Sequence, residues 1–189
     1  MSRTVYSALA KVFAIVLVVI GAAAIYGGNF AHGYVTDQLS QEKISMPTQE
    51  GIDGLSNEES KAALTPYIGQ ELTTGPQAKA FANHYIWEHM MAMSDGRTYE
   101  EVSGEYMAAT KDSSVSADDL AAMGQLRQTM FMGDTLRGML LSAYGWWLLG
   151  SIGIYAGIGA IIGGVILAIL GWGVLRTKAD ETVKAATAA

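Results

Sequence analysis

No Asp, Glu, Lys or Arg lies between Lys11 and Asp37, or between Arg137 and Arg176, whereas most of the chain's charge falls between those two stretches. Such a distribution constrains the fold strongly. An ionised side chain at the centre of a bilayer costs about 3 kcal/mol, so charge-free runs of this length read as membrane segments and the charged stretch as a polar insert. The absence of Cys removes a disulfide scaffold and a thiolate metal site. The net charge of -6 removes the counterion-release basis of nucleic-acid binding.

The first apolar run is bracketed by Tyr6 and Tyr26, whose separation of 20 residues spans roughly 30 Å of helix, the thickness of a hydrocarbon core with an aromatic anchor at each boundary. A competing reading makes it a cleaved signal peptide, with Arg3 and Lys11 as its basic region and Ala22-Ala23-Ala24 as the small-residue site. The run continues through Ile25 to Phe30, longer than a usual signal core, which favours an uncleaved anchor. The second run, Gly138 to Leu175, is roughly 57 Å as one helix. Trp146 and Trp147 at one end and Trp172 at the other place the bilayer at about residues 147–172; a re-entrant hairpin at Gly150-Ser151 is the alternative.

The expected organisation is all-α. Residues 1–34 form a cytoplasmic N-terminus and first transmembrane helix, and residues 35–137 an extracytoplasmic helical insert. Residues 138–175 form a membrane approach and second transmembrane helix, and residues 176–189 a cytoplasmic tail. Arg3 and Lys11 before the first span, with Arg176, Lys178 and Lys184 after the second, put both termini in the cytoplasm by the positive-inside rule.

Four helix starts are legible in the insert: Ser56 with Glu59, Thr74 with Gln77, Thr98 with Glu101, and Ser116 with Asp119. Pro76 suits a first helical turn, and Asp95-Gly96 supplies a helix-ending turn. Met123, Leu126, Met130, Gly133, Leu136, Leu140 and Trp147 trace one apolar seam from the insert into the second span, with a bend expected near Gly133 or Gly138. The first span is expected to continue outward through Val35 and Leu39 to Ser45.

Chemistry-bearing groups are sparse. His84, His89, Met90, Met91 and Met93 crowd together, and imidazole with thioether suits Cu(I). The simpler expectation is a packed helix with Ala78, Ala82, Tyr85, His89 and Met93 on one face, making His89 a core histidine and Met93 a gap filler; Met123, Met130, Met132 and Met139 pack on the long helix. Glu100, Glu101, Glu105, Asp118 and Asp119 read as helix-start and surface acids. No cofactor is implied.

Small residues recur at intervals of three and four along the second span: Gly150, Gly153, Gly157, Ala160, Gly164, Ala168 and Gly171. Ala14, Gly21, Ala24 and Gly28 form a comparable line in the first. Such lines let helix backbones approach closely, the partner being the other span, a second copy or a different protein. Gly159 and Gly163 lie on another face.

Val35-Thr36-Asp37-Gln38-Leu39 leading to Glu42-Lys43-Ile44, His89 followed by Asp95-Gly96-Arg97-Thr98-Tyr99, and Thr135-Leu136-Arg137-Gly138 carry a family resemblance. On these residues the chain resembles a family of actinobacterial two-span membrane proteins often labelled aromatic ring-opening dioxygenase subunits. The resemblance implies the topology and an actinobacterial envelope; the label would require an iron site that the sequence does not provide. The build is also similar to small accessory subunits of the actinobacterial respiratory supercomplex of cytochrome bcc and aa3 oxidase. The expectation is therefore a non-catalytic accessory or structural subunit in the plasma membrane, with other membrane subunits and lipid as partners. An extracytoplasmic copper-handling or assembly factor, or an envelope scaffold or receptor, is the alternative.

Overall fold

The computed structural model describes residues 2–175, and the cations Arg176, Lys178 and Lys184 lie outside them. All regular elements among the described residues are helical. Two are long and apolar enough to cross a membrane: α1 (Ser2–Gln41), and α7 (Ala117–Ala168), which passes into a π-helical turn at Ile169–Val174. The chain divides into two compact units. One holds the described residues up to His32 and from Leu149 onward, the other Gly33–Leu148.

The second unit runs on along α7 to Leu148. Leu140, 3% exposed, belongs to its core, and Gly75 rests directly on the Trp147 side chain. α7 runs through Gly133, Gly138 and Gly150-Ser151 as one continuous helix, so the re-entrant hairpin does not form. Gly133 serves close packing, since a Cβ there would lie 2.9 Å from the Met90 sulfur.

Within Gly33–Leu148, α1 ends at Gln41, short of Ser45, because Lys43 adopts a positive φ of 51° and turns the chain. The turn lets Ile44–Met46 pair with Gln70–Leu72: the Met46 N–H donates to the Gln70 carbonyl and the Leu72 N–H to that of Ile44, both at 2.8 Å. A short helix that the sequence reading missed, α2 (Gln49–Asp53), starts at Thr48, whose hydroxyl accepts from the Gly51 N–H. The next, α3 (Glu58–Leu64), is capped by Asn57 and not by Ser56. The Asn57 side-chain oxygen accepts the Glu59 N–H at 2.9 Å, while the Ser56 hydroxyl donates to Glu88. The other three starts hold. Thr74–Gln77 opens α4 (Gly75–Ala80) and Thr98–Glu101 opens α6 (Tyr99–Ala109), both as reciprocal capping boxes. Ser116 accepts the Asp119 N–H at the head of α7.

Between α4 and α5 (Trp87–Met93) the helix widens into a π-helical stretch, Phe81–Ile86. Widening adds residues per turn, so it advances the buried face relative to regular α spacing. The expected face through Tyr85, His89 and Met93 gives way to one at intervals of four: Ala78, Ala82, Ile86, Met90 and Ser94. Met90 and Ser94 are 2% and 0% exposed, whereas His89 is exposed and Met93 is 51% exposed. His89 is therefore a surface histidine and Met93 fills no gap. Met132 and Met139, at 54% and 66%, are likewise exposed; Met130 is fully buried with Met90 and Val102. The larger core joins Val35 and Leu39 of α1, Leu64 of α3, Leu72, Phe81 and Leu140.

The α6 cap makes a pH prediction. Hydrogen bonds from the Thr98 backbone and hydroxyl hold the Glu101 carboxyl below its ordinary 4.5. A depressed folded pKa gives stability that is present above the unfolded value and lost as pH falls through the folded one. In an NMR titration, Glu101 should titrate below 4.5, and Thr98→Ala should move its midpoint back up while weakening the helix start by about 1 kcal/mol.

Candidate functional site

In the unit that holds the apolar spans, α1 and α7 run antiparallel through a seam of small residues. Steps of seven along α1, at Ser7, Ala14, Gly21 and Gly28, meet steps of seven back along α7, at Gly171, Gly164, Gly157 and Gly150. All of these residues are buried. A period of seven keeps one helical stripe facing its partner, as in a coiled coil, but here the knobs are replaced by glycine, alanine and serine.

The approach is reciprocal. A Cβ on Gly21 would lie 2.6 Å from the Gly157 carbonyl oxygen, and one on Gly157 would lie 2.6 Å from that of Gly21. A Cβ on Gly28 would collide with the Gly150 carbonyl, and one on Gly164 would come within 3.0 Å of the Ala14 carbonyl. The Ser7 hydroxyl, 2% exposed, donates to the Gly171 carbonyl at 3.0 Å. Ser7 was missed in the sequence, though its position seven residues before Ala14 was a usable signal. Ala24, Gly153, Ala160 and Ala168 are half-buried beside the seam; a Cβ on Gly153 would lie 3.3 Å from the Ala24 carbonyl.

Polar pairs occupy both ends of this unit. His32 Nε2 and Ser151 Oγ are 3.0 Å apart at one end. At the other, Arg3 donates to the Val174 carbonyl at 3.0 Å, meeting a free carbonyl at a helix end, and the Lys11 ammonium lies 5.7 Å from the Trp172 ring centre. Tyr6, Tyr26, Trp146 and Trp172 are exposed, as interfacial anchors would be, whereas Trp147 is half-buried against Gly75. Gly159 has open space around it and Gly163 only a Leu17 methyl at 3.8 Å.

In the helical insert, the one Ser-His-Glu grouping is a structural lock. The Ser60 hydroxyl donates to Glu88 at 2.9 Å and lies 3.2 Å from His84 Nδ1, so acid and imidazole both meet the serine. A nucleophilic triad needs the acid on the far imidazole nitrogen and an accessible hydroxyl; Ser60 is 2% exposed. His84 thus faces α3, while His89 Nδ1 faces the Tyr85 carbonyl at 2.8 Å, so the two histidines are engaged separately. Arg137 stacks over Trp87 at 4.4 Å, donates to Asn83 at 3.2 Å and lies 3.8 Å from Asp134, tying α7 to the helical run beside it. Among the acids, Glu101 and Asp119 serve caps and Glu105 pairs with Arg97.

No family model, curated protein or solved structure matches the chain.

Overpacking a close helix contact typically costs about 1–3 kcal/mol. Gly157→Ala should therefore lower the resistance of the detergent-solubilised protein in a graded SDS unfolding titration, because its methyl meets backbone that cannot swing aside. Gly159→Ala, in open space, should be neutral or slightly stabilising through helix propensity. Equal midpoints for the two variants would show that the seam does not hold the pair.

Proposed function

We propose that this protein is a non-catalytic, two-span accessory subunit of a membrane protein complex, with both termini cytoplasmic and the helical insert extracytoplasmic. The observation that carries this reading is the division of faces in the paired spans. The small residues turn inward, and Phe13, Val19, Ile20, Ile152, Ile162, Ile166 and Ile169 turn outward, each more than half exposed. A glycine-locked hairpin with large aliphatic residues all round its outside is a stiff apolar post that calls for lipid or neighbouring membrane helices around it. The inward seam is occupied by the chain itself, so the docking surface is the outer aliphatic face.

The use of the insert's polar groups supports a structural role. Ser60 joins His84 and Glu88, and Arg137 donates to Asn83, in each case between neighbouring helices. The host we propose is the actinobacterial respiratory supercomplex of cytochrome bcc and aa3 oxidase, on the strength of the family and architectural resemblance.

A mild-detergent pulldown of the tagged full-length protein, with identification of the eluted proteins and a haem spectrum, tests the reading. Co-elution of haem with cytochrome and oxidase subunits is the expected result. An eluate holding the bait alone would overturn the accessory role and favour a free-standing envelope scaffold.

A further inference from the structure

A groove of about 390 Å³ opens in the insert between the helical run 81–93 and α7, and its lining brings together His89, Met90, Met93 and Met132. The rest of the lining is almost wholly apolar, including Phe81, Ile86 and Leu136. We propose that this groove is a Cu(I) site in which His89 Nε2 and the thioethers of Met93 and Met132 are the ligands, with Met90 at its floor.

Three features point the same way. Thioether and imidazole are soft and borderline donors that suit Cu(I) and leave hard cations unbound. The His89 ring is held as a metal-ligating imidazole usually is: Nδ1 lies 2.8 Å from the Tyr85 carbonyl, an acceptor that selects the Nδ1–H tautomer of the neutral ring and so leaves the Nε2 lone pair to a metal. The Tyr85 ring packs beside it at 4.4 Å between centres and fixes its plane.

The sulfurs are placed by the fold. His89 and Met93 are four apart on the regular helix α5 and so share a face, and Met132 comes from α7 across the groove. Met93 and Met132 are 51% and 54% exposed, so neither is committed to the core. The Met90 sulfur is seated against the Gly133 backbone, where a larger residue would displace it. His84, engaged with Ser60, is not part of the site. The site does not depend on the proposed host complex.

The test is an anaerobic titration of the purified full-length protein in detergent with Cu(I), in competition with a chromophoric Cu(I) chelator. One Cu(I) per chain should be withheld. Met93→Leu with Met132→Leu keeps the side-chain volumes, and it and His89→Gln should each weaken binding about tenfold or more at unchanged helix content. His84→Ala should leave the affinity unchanged. Failure to withhold any Cu(I), an unaltered affinity in the double leucine variant, or an equal loss in His84→Ala would each overturn the assignment.

Discussion

The contact on which the unit of the two long apolar helices depends is backbone against backbone, where Gly21 and Gly157 face each other and Gly28 meets Gly150. Lipid tails are as apolar as leucine, so burying aliphatic side chains between helices gains little there. What remains is dispersion over a close-fitting surface, and that grows steeply as the helix axes approach. Glycine at every seventh position of α7, set against Ser7, Ala14, Gly21 and Gly28 of α1, allows that approach. It also fixes the register, since a slip of one residue would put Leu149 or Ser151 in the place of Gly150, and Ala156 or Ile158 in the place of Gly157. The outward aliphatic face follows from the same choice, and so does the proposal that this face meets lipid and neighbouring subunits.

In the insert the comparable decision is made by the π-helical stretch Phe81–Ile86. By widening the helix it carries Met90 and Ser94 into the core and leaves His89 and Met93 at the surface. Ser94, once buried, is satisfied by donating to the Arg97 carbonyl, which helps fold the turn that Asp95 and Gly96 make with positive φ of 54° and 81°. The turn delivers Thr98 to its capping position on α6. The Asp95–Tyr99 segment thus has a full structural explanation in turn and cap geometry. The groove containing His89 and the exposed methionines is a further consequence of the same local shift.

Arg137 shows how the long helix is tied to its neighbours on the polar side. Its guanidinium lies over the Trp87 ring and reaches Asn83. A planar cation suits stacking and a directed hydrogen bond at once, which a lysine ammonium would not. Ser60, His84 and Glu88 perform the same service between α3 and the helical run 75–93.

Legibility in the sequence followed the range of the interaction. Charge-free runs, capping pairs such as Thr74–Gln77 and Thr98–Glu101, and the Asp95-Gly96 turn were readable because each rests on residues within a few positions, or on the uniform cost of charge in lipid. The small-residue lines were readable too, as was their capacity for close approach. Which of those residues face each other was not: a spacing of three and four does not distinguish Gly150, Gly157, Gly164 and Gly171, which are buried, from Gly153, Ala160 and Ala168 beside them. Only the partner helix makes that distinction, through a strict period of seven. Likewise, regular helical spacing put His89 and Met93 inside. Tertiary packing reversed this, because one widened turn, invisible to a fixed period, changed the phase of everything after it. Local chemistry determined the elements and their ends, and the face that each element presents was decided only by what packed against it.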